Sequence, residues 1–419
     1  MVLGVGGLAV VGIAAGAAAW VYKQPVGDVH NGASAPFTLT SDPGPTTTEP
    51  AKDHRPDTGE PWPNYGLDVS RRRDGSRFTA IHPPYALVWK RALHDLLEFP
   101  PSYAGGKLYL ATEAGWVRAL DAASGEILWA RKVGSTRDEP AVWRGRVYVD
   151  SRDTHMYALS ARSGRVLWRT PLHQLLESSP VVSGGRVFTG GGSNDVRALD
   201  AVTGRILWTF HASGSVPGSP SIDPASGRVF FGDYAGKMYC LRASDGHLVW
   251  SKQTAGLSSG LRSGTFYASP AVAYGRVYIA NTDGKIYSFV ESTGEVAWTY
   301  TLPWWAYGSP AVSQGRVFGT SYDGTFVALD ARTGGLLWRH KLPYRSLGSP
   351  TVIGPLVYVS DVGPSPGAHG HLFAYNPGTG RLAWKFDDGK YSSVVVAGDR
   401  LVVAGYSHLY SLRPKSAAP

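Results

Sequence analysis

Aromatic and basic side chains that could bind a partner are concentrated in short segments between apolar runs. Rings and guanidinium groups held on loops are typical of recognition surfaces. The leading candidates are Trp304, Trp305, Tyr307, Tyr344 and Arg345, and the further candidates are Arg137, Arg262 and Tyr267. We predict a ligand- or partner-binding surface built from these residues. The alternative is that the two adjacent tryptophans pack inside the fold.

Side chains that could bind a metal ion or catalyse a reaction are few. His369 and His371 lie in a Gly- and Pro-rich loop with Asp361, and His408 lies in the matching loop of the next repeat. Such a loop is more often only a loop than a metal site. Loop carboxylates could coordinate calcium, but exposed loop acids are usually solvated. The acids considered are Glu98, Glu139 and Glu177. We predict no catalytic residue and no metal site.

The single cysteine, Cys240, excludes a disulfide within the chain. It stands where sister repeats have alanine, which predicts a small buried thiol.

No phosphate loop, nucleophile elbow or zinc-ligand spacing is present. The glycine run 190–192 follows an apolar segment and opens another strand instead of a helix, so it is not a dinucleotide-binding motif.

The elements that position these residues follow from an internal repeat. A phrase beginning Ser-Pro, continuing with Gly-Arg-Val-Tyr-Val and ending with Leu-Asp-Ala-x-Thr-Gly-x-x-Leu-Trp recurs along the chain. Its closing tryptophans are Trp89, Trp129, Trp168, Trp208, Trp250, Trp298, Trp338 and Trp384. One large amphipathic ring in each repeat is best explained as packing between neighbouring sheets, with the indole N–H bonded to a partner. We assign these residues to the fold and not to an active site.

Each repeat predicts four short strands. In the sixth repeat the first strand begins at Ser309, and the third and fourth follow as residues 326–330 and 336–340. Asp-Gly, as in Asp323-Gly324, is a hairpin signal between the second and third strands. The segment 330–334 joins the third strand to the fourth, since Asp can accept turn amide hydrogen bonds and Gly tolerates positive φ.

The ends of the repeat array predict a closed ring. The last repeat supplies three strands within residues 392–413, and an unmatched tryptophan strand lies at 86–93. Pairing that strand with the last three completes eight sheets and protects their edges. We therefore predict an all-β, eight-bladed β-propeller of four-stranded antiparallel blades over residues 62–413, closed by this N- to C-terminal pairing.

The residues outside the repeats form three predicted segments. Residues 1–22 are apolar and long enough to cross a membrane as a helix, either as a retained signal anchor or as a cleaved signal peptide. Residues 23–61 are rich in Pro, Thr and Ser and predict a disordered tether. Residues 414–419 predict a disordered tail. The propeller is therefore expected outside the cytoplasm, in the periplasm or at the cell surface.

Charge is uneven along the chain. The formal net charge is +9, and residues 1–60 contain three basic and six acidic side chains, so the remainder carries +12. A basic globular part suits an anionic envelope polymer, lipid headgroups or an acidic protein face. The alternative, which we weight equally, is that the basic side chains only keep the protein soluble. We expect a monomeric propeller, attached to the membrane through its N-terminal segment, that binds no nucleic acid.

The repeat resembles that of the pyrroloquinoline-quinone (PQQ)-like propeller family. The phrases at 119–129, 198–208 and 328–338 look like its signature, and Trp62-Pro63-Asn64-Tyr65-Gly66 is similar to the lead-in of quinoprotein dehydrogenases. The family includes those dehydrogenases, which oxidise alcohols or sugars. It also includes non-enzymatic scaffolds such as the lipoprotein of the outer-membrane β-barrel assembly machine (BamB).

The resemblance to a dehydrogenase would imply an adjacent Cys-Cys disulfide, a calcium site and an aspartate base. A lone Cys240 cannot form the pair, and none of the other residues maps onto this sequence. The chain is thus expected to be closer to the BamB-type scaffold, with no cofactor, and to recognise a protein or envelope polymer through its loop face. The alternatives are a PQQ- and calcium-dependent dehydrogenase and a cell-wall or carbohydrate-binding module.

Overall fold

A computed structural model describes residues 27, 29–31, 37, 62–95, 97, 99–254, 264–365, 368–389 and 394–415. All regular elements in these ranges are β strands, and they form eight sheets in a propeller ring. The prediction of an all-β, eight-bladed propeller is confirmed. No helix long and apolar enough to cross a membrane occurs among the residues that the structure describes. The predicted apolar segment 1–22 lies outside them, as do residues 416–419 of the predicted tail 414–419, whereas Pro414 is the last residue of a strand.

Three strands precede the first complete blade, namely β1 (Val29–Asn31), β2 (Asp74–Gly75) and β3 (Tyr85–Ala92). Blade 1 contains β4 (Ser102–Ala104), β5 (Lys107–Ala111), β6 (Trp116–Asp121) and β7 (Ile127–Lys132). Blade 2 contains β8 (Ala141–Trp143), β9 (Arg146–Asp150), β10 (His155–Ser160) and β11 (Val166–Pro171). Blade 3 contains β12 (Val181–Ser183), β13 (Arg186–Gly190), β14 (Asp195–Asp200) and β15 (Ile206–His211). Blade 4 contains β16 (Ser221–Asp223), β17 (Arg228–Gly232), β18 (Lys237–Arg242) and β19 (Leu248–Gln253).

Blade 5 contains β20 (Ala271–Ala273), β21 (Arg276–Asn281), β22 (Lys285–Val290) and β23 (Val296–Thr301). Blade 6 contains β24 (Ala311–Ser313), β25 (Arg316–Thr320), β26 (Thr325–Asp330) and β27 (Leu336–Lys341). Blade 7 contains β28 (Thr351–Ile353), β29 (Leu356–Ser360), β30 (Gly370–Tyr375) and β31 (Leu382–Gly389). Blade 8 contains β32 (Val394–Ala397), β33 (Arg400–Ala404) and β34 (His408–Pro414) together with β3.

Blade 8 closes the ring as the sequence predicts. β3 pairs antiparallel with β34, with Trp89 opposite Ser411 and Leu87 opposite Leu412. The outermost strand of the last blade therefore comes from the start of the repeat region, and its other three strands come from the end. This pairing joins the two ends of the repeat array in one sheet.

Each recurring tryptophan contacts the next blade. The Trp298 indole N–H donates to the carbonyl of Ala331 at 3.0 Å, and the Trp129 indole N–H donates to Ala161 at 3.1 Å. The glycine of the facing turn lies against the ring: a Cβ on Gly334, which has φ +77°, would lie 2.7 Å from Trp298 Cδ2. The Thr-Gly in the repeat therefore provides both a positive φ and space for the neighbouring ring.

A belt of hydrogen bonds links successive Ser-Pro motifs around the ring. The backbone N–H of each motif serine donates to the hydroxyl of the next, over 2.8–3.0 Å between blades 3 and 7. We call this the serine belt, and its members are Ser179, Ser219, Ser269, Ser309 and Ser349. The backbone N–H of Glu139 in blade 2 donates to Ser179 Oγ at 2.9 Å and extends it. The belt joins six blades at the start of their innermost strands.

Residues 62–75, here called the channel segment, run along the inner strands of the ring. Their carbonyls accept a backbone hydrogen bond of 2.7–2.9 Å from each of six blades, and Gly75 accepts a second one from blade 7 at 3.0 Å. The accepting residues, in the order of blades 1, 2, 4, 5, 6 and 7, are Trp62, Pro63, Val69, Ser70, Arg72 and Arg73. The segment thus makes nearly a full circuit of the axis before entering β3.

Arg71 ties the channel segment to blade 3. Its guanidinium donates to the carbonyls of Pro220 at 2.6 Å, Tyr65 at 2.8 Å and Ser179 at 2.9 Å. It is fully buried, and burial lowers its pKa to about 9. Arg73 lies over the Tyr65 ring, 4.1 Å from its centroid. Large side chains therefore fill the axis of the ring.

A short strand from the predicted tether region adds to blade 5. β1 pairs antiparallel with β23, with Val29 opposite Tyr300, so the sheet has five strands. The Phe37 ring then lies 5.5 Å from the ring of Tyr274 on the same blade. The composition of residues 23–61 gave no sign of this pairing, because three residues are too few to show a strand pattern.

Candidate functional site

Two sets of loops form one face of the ring, which we call the loop face. One set joins each fourth strand to the next blade, and the other joins second to third strands. In blade 6 they are bonded to each other: the Tyr322 N–H donates to the Trp305 carbonyl at 2.8 Å, and the Trp304 N–H donates to Ser321 Oγ at 3.1 Å. The loops that carry the predicted binding residues are therefore held in place by the rigid ring.

Six rings form a continuous row across the loop face of blades 4 to 6, which we call the aromatic ledge. Neighbouring ring centroids lie 5.0–6.2 Å apart, in stacked, tilted and edge-on arrangements. Its members are Tyr234, Tyr267, Tyr307, Trp305, Trp304 and Tyr322. Four of the residues predicted from the sequence belong to it. Tyr234 and Tyr322 were missed because each lies in a turn between second and third strands, and the prediction considered the other set of loops.

Exposure along the ledge is graded. Tyr267 is 45% exposed and Tyr234 is 38% exposed, whereas Trp305 is 5% exposed and lies beneath the other rings. The Trp305 indole nitrogen has no hydrogen-bond partner among the described residues. Trp304 and Tyr307 are half-buried. Trp305 therefore supports the row from within, and the tyrosines present ring surface to solvent.

Tyr344 and Arg345 extend the ledge toward blade 7. The Arg345 guanidinium donates to the Tyr322 hydroxyl at 2.7 Å and lies over the same ring, 5.4 Å from its centroid. Tyr344 stacks on His371 at 5.9 Å, and His371 Nδ1 lies 3.1 Å from Asp361. Arg345 and Tyr344 are both exposed. The guanidinium of Arg345 thus lies at the blade 7 end of the aromatic ledge.

A shallow cavity adjoins the other end of the ledge. It has a volume of about 110 Å³ and is lined by Tyr234, Leu175, Glu177 and the backbone of Gly191 and Gly192, among others. The glycine run 190–192, which is not a dinucleotide-binding motif, therefore leaves space for this cavity on the loop face. Together the cavity and the ledge form an elongated surface from blade 3 to blade 7.

The two remaining predicted arginines are not part of this row. Arg137 lies between blades 1 and 2 and forms an ion pair with Glu113. Arg262 lies in residues 255–263, outside the described residues. Of the eight predicted binding residues, the structure brings together six: Trp304, Trp305, Tyr307, Tyr344, Arg345 and Tyr267.

Three carboxylates of blade 2 are buried. Asp138, Glu139 and Asp150 stand where blade 3 has Ser178, Ser179 and Gly190. Burial raises the pKa of Glu139 and of Asp150 to about 8, and raises that of Asp138 well above its usual range. The interpretation of Glu139 as a solvated loop acid was wrong, because the side chain faces blade 1, where Ser102 donates to it at 3.0 Å. Aligning the repeats position by position would have singled out these acids.

Two histidines of blade 7 form separate pairs with aspartates, whereas His408 of blade 8 lies 3.2 Å from the hydroxyl of Ser407. His369 Nδ1 lies 2.8 Å from Asp388 Oδ1, while His371 contacts Asp361. Across the described parts of the chain, no group of three or more His, Cys, Asp or Glu side chains is arranged to hold a metal ion. Cys240 is buried, and burial raises the pKa of its thiol to about 12, so the thiol is unreactive at neutral pH.

Comparisons with known proteins agree with this architecture. The family model described as "Outer membrane protein assembly factor BamB" matches residues 75–179, 113–281, 223–303 and 305–418. No curated protein matches the sequence.

Solved structures share the fold at low sequence identity. BamB from Moraxella catarrhalis is 22% identical with a TM-score of 0.68, and the alignment covers 78% of this chain and 99% of that one. The quinohemoprotein alcohol dehydrogenase from Comamonas testosteroni is 15% identical with a TM-score of 0.69, covering 85% and 81%. A europium-containing methanol dehydrogenase is 14% identical with a TM-score of 0.71, covering 82% and 89%. At these identities the likeness establishes the fold alone.

Proposed function

The chain belongs to the family of the outer membrane protein assembly factor BamB, and from that membership we propose that it is a non-catalytic scaffold that binds a protein partner outside the cytoplasm. The observation that carries the proposal is the aromatic ledge. Rigidly held tyrosines with exposed faces offer a large contact area at little conformational cost. The neighbouring cavity gives the same surface a place for an anchoring side chain.

Membrane attachment is part of this proposal. The apolar run 2–22 has the length of a spanning helix. An envelope scaffold needs to stay near the membrane in which its partners are assembled, and a retained anchor would keep it there. Fractionation of cells expressing the full chain tests this point: we expect the protein in the membrane fraction after a carbonate wash, and release by the wash would contradict a retained anchor.

Partner binding is tested by photo-crosslinking in native membranes. A crosslinking amino acid at Tyr267 should give a discrete adduct with an envelope protein identified by mass spectrometry, and Tyr307→Ala should reduce its yield several-fold. The matched control is Val202, which is 52% exposed in a turn on the opposite face. An adduct from Val202 and none from Tyr267 would place the partner on the wrong face for this proposal.

A quinone-dependent dehydrogenase is the alternative from the same fold class, and two solved relatives are enzymes of this kind. The residues of this chain do not fit the cofactor. Tyr65, Arg71 and Arg73 fill the axis of the ring, and the guanidinium of Arg71 is already bonded to three carbonyls. The single thiol of Cys240 is buried. No step through a quinone follows from these residues. Dye reduction on incubation of the purified protein with the quinone, calcium and alcohols would overturn this conclusion.

A carbohydrate-binding role is a second alternative, favoured by one observation. Tyr267 and Tyr234 are stacked with their ring centroids 5.8 Å apart, and both rings are exposed; exposed aromatic rings can stack on sugar rings. Sedimentation with purified peptidoglycan distinguishes the two roles. Binding lost in a Tyr234→Ala, Tyr267→Ala double variant would favour the polymer over the protein partner.

A further inference from the structure

The added strand β1 fixes where the chain leaves the propeller. β23 runs toward the loop face, because the loop 302–310 follows its last residue. β1 is antiparallel to β23, and the backbone N–H of Gly27 donates to the Thr301 carbonyl at 2.9 Å. The N-terminal end of β1 therefore lies at the loop-face end of blade 5, and its C-terminal end points toward the opposite face.

The exit point lies at the aromatic ledge. The loop that enters blade 5 carries Tyr267, and the loop that leaves it carries Trp304 and Tyr307. Rings from the two loops touch, since the centroids of Tyr267 and Tyr307 are 5.4 Å apart. Blade 5 thus holds both the outgoing chain and the middle of the ledge, on the same face of the ring.

The link from this point to the apolar run is short. Only residues 23–26 separate Tyr22, the end of the run, from Gly27. An extended chain covers at most about 3.3–3.6 Å per residue, so Gly27 lies within roughly 18 Å of the end of the apolar run. The headgroup region of a bilayer adds about 5–8 Å beyond each side of its hydrocarbon core. A helical anchor in the membrane would therefore hold the loop face of blade 5 close to the bilayer surface.

The chemistry of the ledge suits that surface. Tyrosine and tryptophan prefer the headgroup level of a membrane, where the ring is half in an apolar and half in a wet environment. Basic side chains next to them are attracted to anionic lipids. Among the described residues, Tyr267, Tyr234 and Tyr344 are exposed tyrosines of this face, and Arg345 is exposed next to Tyr344. We propose that the loop face is turned toward the membrane that holds the N-terminus, which places the aromatic ledge at the level of the lipid headgroups, where a protein partner in that membrane can reach it. This inference rests on the membrane anchoring proposed above.

Fluorescence quenching by lipids tests the orientation. The full chain, with Cys240→Ala to remove the native thiol, is labelled at Tyr267→Cys and reconstituted in phosphatidylcholine–phosphatidylglycerol vesicles that contain headgroup spin labels. We expect quenching at least three-fold stronger than for a label at Val202→Cys on the opposite face. A Tyr344→Cys label provides a second reporter if the first variant folds poorly. Equal quenching at the two faces would overturn the proposal.

Two insertions test whether the short link sets the orientation. Ten Gly and Ser residues inserted after Lys23 lengthen the connection between the apolar run and blade 5, and should reduce quenching at position 267 to the level of position 202. The same insertion after Thr47 follows β1 in the sequence and lengthens a different connection, so quenching should not change. If both insertions act alike, or neither acts, the strand on blade 5 does not set the orientation.

Flotation of the vesicles separates the two failures. A protein that does not float with the vesicles lacks the proposed anchor, and both the anchoring and this inference are then wrong. A protein that floats, with equal quenching at both faces, overturns only the orientation. In that case, the proposal of a protein partner is still tested by the photo-crosslinking experiment in native membranes.

Discussion

Single residues in the turns between third and fourth strands determine how closely the blades pack. The Trp298 ring lies against the backbone of Gly334, and the neighbouring Gly335 has no such contact. The same pairing recurs between other blades, for example between Trp129 and Gly164. The repeat therefore depends on glycine at one position of each turn, while the next position is free to vary.

Gly334→Ala should destabilise the protein by about 2 kcal/mol or more, because it combines an unfavourable φ of +77° with a Cβ 2.7 Å from the Trp298 ring. Gly335→Ala is the matched control, since its nearest neighbour would be Thr333 Oγ1 at 3.3 Å, and it should change stability by less than about 0.5 kcal/mol. Urea unfolding followed by tryptophan fluorescence measures both. Equal effects would show that the contact with the ring is unimportant.

The buried acids of blade 2 make stability dependent on pH. The pKa of Asp150 is raised from 3.8 to about 8 by burial, so the folded state favours the protonated acid. This contribution is fully present below pH 3.8 and is lost as the pH rises through about 8. Asp150→Asn keeps an acceptor for Thr189 and removes the charge. The variant should gain at least about 1 kcal/mol of relative stability between pH 5 and pH 9.

Thermal unfolding at several pH values measures this gain. Asp387→Asn is the control, because Asp387 is exposed and its pKa is lowered by the hydrogen bond from Lys385. It should leave the pH profile of the parent almost unchanged. A parent profile that is flat between pH 5 and pH 9 would show that Asp150 ionises freely in the folded protein.

Among the elements, the serine belt connects strands that share no sheet. Each of its hydrogen bonds joins the first strands of two neighbouring blades, where the sheets are closest to the axis. The Ser-Pro motif fits this role, since serine provides the N–H and the hydroxyl, and proline, which lacks an N–H, begins the inner strand. In blade 2, Glu139 stands at the position of the motif serine. Its backbone N–H still donates to Ser179, but its side chain is a carboxylate instead of a hydroxyl.

Ser219→Ala should cost about 1–3 kcal/mol, because it leaves the buried N–H of Ser179 without an acceptor. Ser163→Ala, in an exposed turn of blade 2, is the control and should change the free energy of unfolding by less than about 0.5 kcal/mol. Amide hydrogen exchange adds a local readout, since protection of the Ser179 amide should fall in the variant. Unchanged exchange at that amide would contradict a role for the belt.

Elements repeated eight times could be predicted from the sequence, and elements present once could not. The strands, their turns and the pairing of β3 with β34 follow from comparing one repeat with the next. The channel segment 62–75 and β1 have no second copy in the chain, so no periodicity reveals them. The aromatic ledge was predicted in part: residues on one set of loops were found, whereas Tyr234 and Tyr322 on the other set became evident only through their ring contacts.

In the whole molecule, stability is shared around the ring by the channel segment. Arg71→Leu should destabilise the protein by about 3 kcal/mol, because it removes three donors from buried carbonyls. Arg72→Leu is the matched control: Arg72 is half-buried and paired with Asp68 at 3.7 Å, and its loss should cost less than about 1 kcal/mol. Unfolding should remain a single transition by circular dichroism and fluorescence. Separate melting of a few blades would contradict a shared anchor.

The pairing of β3 with β34 has a consequence for how the chain is made. Residues near position 85 emerge from the ribosome more than 300 residues before their strand partners at 408–414. Until residues 408–414 have been synthesised, β3 has no sheet to join. Contacts between residues so distant in sequence also form slowly. A stalled or truncated product therefore lacks a finished ring, however many blades it has. The full-length chain therefore acquires its closed ring only after its last strand has been synthesised.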